Sequence, residues 1–313
     1  MIVDELPQSK KRRVYRRSTA RVALAFAVCA ALNVATPAFA QSPTLAWEAK
    51  GLAQPEAVLH DPVTDVLFVT NINGPVMQKD GNGFISRLKP DGTILKRDWA
   101  RGLDAPTGIG LHDRTLYVAD VDTLVAISAA SGSIEKKYKA NGAIFLNDVA
   151  VADDGTVYVS DTPMNTIWRL KDNVFEPWLT DDGLNGPNGL LLRDGKLMVA
   201  SFGRPKSVGQ ERETAGIFAI DLEDKSVTPI GKPFGNLDGI DEIKPGTYLV
   251  TDWADGALFR VDVKGNNAKP TKILDLNQGS ADLIYVPQKQ LVLIPMMLDN
   301  TLAAYKLGGA PAN

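Results

Sequence analysis

Leu146-Asn-Asp-Val-Ala-Val-Ala-Asp-Asp-Gly-Thr-Val-Tyr-Val-Ser-Asp161 decides the fold. Two short apolar runs flank Asp153-Asp154-Gly155, a turn sequence in which glycine supplies left-handed backbone. Each run is too short for a helix and is rich in valine, whose branched side chain favours extended chain. The stretch therefore reads as a strand pair that ends on an aspartate.

Outward from it the same unit recurs. Upstream stand Pro55-Glu-Ala-Val-Leu-His-Asp61 with Val66-Leu-Phe-Val-Thr-Asn71, then Pro106-Thr-Gly-Ile-Gly-Leu-His-Asp113 with Thr115-Leu-Tyr-Val-Ala-Asp120. Downstream come Pro187-Asn-Gly-Leu-Leu-Leu-Arg193 with Lys196-Leu-Met-Val-Ala-Ser201, and Leu237-Asp-Gly-Ile-Asp-Glu-Ile243 with Thr247-Tyr-Leu-Val-Thr-Asp252. A weaker copy is Ala281-Asp-Leu-Ile-Tyr-Val286 with Gln290-Leu-Val-Leu-Ile-Pro295. From Glu56 to Thr107, Asn147, Asn188, Asp238 and Asp282 the spacings are 51, 40, 41, 50 and 44 residues. A strand-built period of roughly 40–50 residues is that of propeller blades. Second pairs, such as Thr166-Ile-Trp-Arg-Leu170 with Val174-Phe-Glu-Pro-Trp-Leu179, bring each unit to four strands. The predicted fold is all-β, a six-bladed β-propeller over residues 41–313. The sixth unit ends at its third strand, Thr301–Leu307, while Thr44–Lys50 stands unassigned before the first unit. Pairing the two closes the ring and covers an edge that would otherwise template aggregation.

Residues 1–40 read as a signal peptide. Lys10, Lys11, Arg12, Arg13, Arg16 and Arg17 precede the apolar run Val22–Leu32, and Ala38-Phe-Ala40 supplies the cleavage pattern before Gln41. The apolar run is short of the ~20 residues a membrane span needs. The expected location is periplasmic or secreted, with no membrane span in the mature protein. The single cysteine, Cys29, lies in the apolar run, so thiol chemistry, disulfides and cysteine metal sites are excluded from the mature chain. The formal charge of −3 includes a strongly positive leader, so the mature protein is acidic and is not expected to bind nucleic acid. With only His60 and His112 present, a three-histidine zinc site is excluded.

In a blade the first strand lines the channel, and the equivalent positions are Glu56, Thr107, Asn147, Asn188, Asp238 and Asp282. Singly, each reads as a loop cap. Together they form a ring of hard oxygen donors suited to Ca²⁺, and carboxylates placed this close call for a neutralising cation. Asp120, Asp161, Asp252, Asn71 and Ser201 end second strands and are expected to accept backbone N–H groups of the following turn. His60 and His112 are read as structural, and Trp168, Trp178 and Trp253 as blade packing. The loops 71–83 and 202–214 are long; the second carries Arg204, Lys206 and Arg212. They are either solvated loops or a lid that draws in an anionic substrate.

Phe145-Leu-Asn-Asp-Val-Ala-Val-Ala-Asp-Asp-Gly155, Gly186-Pro-Asn-Gly-Leu190 and Leu237-Asp-Gly-Ile240 resemble the gluconolactonase, regucalcin (senescence marker protein) and luciferin-regenerating-enzyme family. More distantly the pattern is similar to diisopropylfluorophosphatase and the paraoxonases. The resemblance covers essentially the whole mature chain. It implies a metal-dependent carboxylic-ester hydrolase acting on a small-molecule lactone or related ester, with one divalent cation, Ca²⁺ or alternatively Zn²⁺ or Mn²⁺. Carried over by motif, Glu56, Asn188 and Asp238 would hold the metal and Asn147 would contact metal or substrate. Thr107 would face substrate, and Asp238 would be the base or nucleophile. This chain has Ala57 where family lactonases often have glycine, and Phe145 where the sugar-lactonase branch has a substrate-binding arginine. Asp241 matches one ligand of the second calcium of diisopropylfluorophosphatase, but Ile284 stands where its histidine would be. The alternative from another class is a non-catalytic propeller that binds a small ligand or a protein through the same face.

Overall fold

A computed structural model describes residues 42–206 and 211–308. The expected signal peptide, its cleavage point and the centre of the 202–214 loop lie outside the described residues. Within them the chain forms six four-stranded antiparallel sheets arranged as the blades of a propeller.

Blade 1 is Pro55–Asp61, Val66–Asn71, Gly83–Leu88 and Ile94–Leu103; blade 2 is Pro106–His112, Thr115–Asp120, Thr123–Ser128 and Ile134–Lys139. Blade 3 is Leu146–Val151, Val157–Asp161, Thr166–Lys171 and Val174–Thr180; blade 4 is Pro187–Arg193, Lys196–Ser201, Ala215–Asp221 and Val227–Gly235. Blade 5 is Leu237–Lys244, Thr247–Asp252, Ala257–Lys264 and Asn267–Asp275. Blade 6 takes Ile284–Val286, Leu291–Met296 and Thr301–Lys306 from the end of the chain and its outer strand, Thr44–Lys50, from the beginning. Thr44 faces Lys306 and Lys50 faces Thr301, the closure read from the sequence. The first strand of each blade contacts that of the next, and the first strand of blade 6 returns to that of blade 1.

The cores lie between blades. Successive side chains of a strand point to opposite faces, so Val66-Leu-Phe-Val69 feeds two of them. Phe68 packs with Leu116 and Val125 of blade 2, whereas Leu67 and Val69 pack with Leu293 and Leu302 of blade 6. Burying a side chain such as Phe68 completely is worth roughly 2–3 kcal/mol. Outer strands such as Ile134–Lys139 are largely exposed and carry the charge.

The inner strands share a feature no local pattern announces. In blades 1 to 5 the pairing of first and second strand shifts register just after the first residue, between Pro55 and Val58 and its four equivalents. The bulged residues are Glu56-Ala57, Thr107-Gly108, Asn147-Asp148, Asn188-Gly189 and Asp238-Gly239. A bulge re-aims side chains and leaves backbone groups unpaired. In blades 1, 3 and 5 a hydroxyl of the second strand accepts the freed N–H: Thr70 from Ala57, Ser160 from Asp148, Thr251 from Gly239. Glycine is needed where inner strands crowd. A Cβ on Gly189 would lie 2.0 Å from the Asp238 carbonyl oxygen, and one on Gly108 would lie 2.5 Å from Asp148 Cα.

Candidate functional site at the channel mouth

The bulges bring Glu56, Thr107, Asn147, Asn188 and Asp238 to the floor of one cavity of about 480 Å³, the size range of small-molecule sites. Asp282, the sixth position of the expected ring, does not line it. Its carboxylate turns back to accept the N–H of Leu283, and it lines a smaller cavity of about 280 Å³ with Asp148 and Asp241. The floor therefore has two carboxylates rather than three.

Glu56 Oε2, Asn147 Oδ1 and Asn188 Oδ1 are buried oxygens with no hydrogen-bond donor among the described residues. Buried acceptors are normally satisfied, so three together require an explanation. Burial, then the charges of Asp238 and Asp148, pushes Glu56 well above the usual carboxylate range. Burial and the Asp148 charge push Asp238 up to about 8, opposed by a hydrogen bond from Asn188. Asp148 itself is raised to about 6 by burial, against backbone N–H groups of Leu190 and Val149. No basic side chain among the described residues forms an ion pair with any of these acids. Among the described residues no three Asp, Glu, His or Cys side chains group as a metal site. The ligand set read from the sequence is instead two carboxylates and two amides, all oxygen. Orphaned acceptors beside carboxylates that repel one another fit a hard divalent cation. Thr107 is fully buried in the floor, and its hydroxyl donates to the Asn147 carbonyl at 2.8 Å, which holds the bulge carrying Asn147.

The walls are apolar and come from loops. Ile72, Val76 and Met77 of the 71–83 loop face Phe145, Phe202 and Trp253. Trp168 and Trp178 pack within blades as expected, but Trp253 is a cavity wall, edge-on to Phe202 at 6.0 Å between centroids. Both long loops contribute lining residues, so neither is merely solvated. Arg212 is the basic residue of the lining, and sequence reasoning left its role open between lid and loop.

The remaining polar candidates are structural in geometry. His60 Nε2 pairs with Asp65 and His112 Nε2 with the Asp153 carbonyl, both away from the cavity. Asp120 accepts from Asp104 and Ala105, and Asp161 from Ile144 and Phe145. These donors lie in the segments entering the same blade; the expected bond to the following turn is made by Asp161, which also accepts from Met164, and by Asp252, which accepts from Ala254 and Asp255. Asn71 accepts from Ala53, also upstream, and Ser201 Oγ has no partner among the described residues. Asp148 was missed. Its only sequence signal is a second polar residue where the other blades have Gly, Ala or Leu.

No family model matches the sequence, and no curated protein does. Solved structures do match. The streptogramin B lyase structure aligns with a TM-score of 0.59 at 13% identity, over 85% of this chain and 98% of that one. The extracellular domain of a hybrid two-component system from B. thetaiotaomicron aligns at 0.54 and 16% identity, over 82% of this chain and 34% of that one. A chain of the mitotic checkpoint complex aligns at 0.56 and 10% identity, over 80% and 73%. The chain thus spans about a third of the extracellular domain it matches. At these identities the likeness is one of fold. It supports the β-propeller, while the gluconolactonase resemblance rests on its motifs. No helix among the described residues is long and apolar enough to cross a membrane.

Proposed function

We propose that the protein is a metal-dependent hydrolase of a lactone or related ester, working in the mouth cavity. The observation that carries the reading is the trio of donorless oxygens, Glu56 Oε2, Asn147 Oδ1 and Asn188 Oδ1, on the same floor as the Asp238 carboxylate. Those four residues would hold one divalent cation, Ca²⁺ by donor type, with Zn²⁺ or Mn²⁺ as alternatives. When bound, such an ion supplies Lewis acidity toward a carbonyl oxygen. Asp238 then acts as base: it takes a proton from the water whose oxygen adds to the carbonyl carbon. As the carbon–oxygen bond to the leaving alkoxide breaks, Asp238 returns that proton to the departing oxygen. The apolar walls limit competing water.

The test is a hydrolysis screen over lactones and esters with Ca²⁺, Zn²⁺, Mn²⁺ or chelator. Cation-dependent turnover that vanishes in Asp238→Asn is the expected result. Cation binding without turnover of any substrate sinks the hydrolase and leaves the ligand-binding propeller. Residues 1–40 are proposed to direct export, so N-terminal sequencing of the periplasmic protein should begin at Gln41; an intact leader overturns this.

A further inference from the structure

We propose that Arg212 selects the substrate, an ester or lactone whose apolar body ends in an anionic group. The inference rests on the hydrolytic reading for the bond that reacts, but not for the group that binds.

Among the basic residues of the 202–214 loop, Arg204 pairs with Asp182 and Lys206 with Glu211. Arg212 has no carboxylate partner among the described residues. It is half-buried, bridged across the loop to Pro205, with its guanidinium over the Phe202 ring at 4.4 Å. One nitrogen, Nη1, donates to the Gly203 carbonyl at 2.6 Å. Phe202 in turn makes a T-shaped contact with Trp253. The planar fork is thus oriented by an aromatic face and a backbone anchor, while its remaining donors have no acceptor among the described residues. A partly desolvated cation without a counterion is unfavourable by itself, and an anionic ligand group offsets that.

The other walls define the body. Val76, Met77, Phe145 and Met297 offer no hydrogen bonds, and Thr162 has its hydroxyl committed to the Pro187 carbonyl. A polyhydroxylated substrate would leave its hydroxyls unpaired against such walls. The apolar surface continues outward: Met77 and Leu298 of the lining are 54% and 47% exposed, and Ile144 and Met164, next in sequence to lining residues, are 47% and 41% exposed. An exposed apolar rim around an apolar cavity suits a body longer than the cavity itself.

The experiment is calorimetry of the purified protein with 4-phenylbutyrate and its neutral isostere 4-phenylbutyramide. Wild type is expected to bind the carboxylate at least about tenfold more tightly, the scale of one charged hydrogen bond. Arg212→Gln should bring the ratio to about one, Arg212→Lys should leave an intermediate ratio, and Lys206→Gln should leave it as in wild type. Equal binding of both ligands, no binding of either, or a ratio unchanged in Arg212→Gln overturns the inference. In parallel, mono-4-nitrophenyl glutarate and 4-nitrophenyl valerate report hydrolysis. An intact binding ratio without turnover sinks the hydrolase reading alone; turnover with a binding ratio of one sinks this inference alone.

Discussion

Asp148 Oδ2 accepts the backbone N–H of Leu190 at 2.6 Å, tying the first strand of blade 3 to that of blade 4. Its other oxygen accepts the N–H of Val149 at 2.7 Å. Asp241 makes the same pair of bonds, to Tyr285 and Glu242, between blades 5 and 6. Neighbouring first strands are not joined by a sheet ladder, so these carboxylates act as clasps. Asp148→Ala strands two buried N–H groups and should lower stability by roughly 3 kcal/mol. Denaturant midpoints of Asp148→Ala and Asp241→Ala measure this, and a loss below about 1 kcal/mol in both would refute the clasp.

Gly189, next to Asn188, leaves no room for a Cβ against the Asp238 carbonyl. Gly189→Ala forces these strands apart, which should cost about 1–3 kcal/mol as overpacking. Because the displaced strand carries Asp238, the variant should also lose cation affinity while remaining folded. Calorimetry beside a melting curve separates the two effects; unaltered affinity would show that the floor tolerates the shift.

A cation that binds only the native state stabilises it by about 2.7 kcal/mol at a hundredfold excess over its dissociation constant. Wild type should therefore melt higher with Ca²⁺ than with chelator, and Glu56→Gln and Asp238→Asn should lose that difference. In chelator the pH dependence has a definite sign. Asp238 is raised from 3.8 to about 8, and Glu56 is raised as well. Their contribution to stability is complete below the unfolded value and disappears as pH rises through the folded one. Chelated protein should lose stability between about pH 4 and pH 8 relative to the cation-loaded protein. Parallel profiles with and without cation would rule out a shared site on these carboxylates.

Thr44–Lys50 covers the edge of Thr301–Lys306, with Ala49 buried in the core between blades 6 and 1. Removing residues 44–50 should uncover that edge and promote aggregation, visible by light scattering at constant concentration. A monomeric deletion variant with the wild-type melting temperature would show that closure contributes nothing.

The sequence by itself determined the blades, their number and the strand that closes them. Those features follow from local terms: short apolar runs such as Val66-Leu-Phe-Val69, turn glycines such as Gly155 at φ 82°, and a repeat length that recurs along the chain. It also located Glu56, Thr107, Asn147, Asn188 and Asp238, because equivalent repeat positions occupy equivalent places around an axis. Only the tertiary structure decided which of the ring's oxygens share the cavity. Asp282 obeys the repeat yet turns to its own Leu283 N–H, and Asp148, next to a marked position, reaches a partner 42 residues away. The walls were likewise hidden, since Phe202, Arg212 and Trp253 meet through loops from different blades. A strand's face follows from its own alternation, whereas a bulge and a loop wall depend on neighbours that are remote in the chain and adjacent only once the ring is closed.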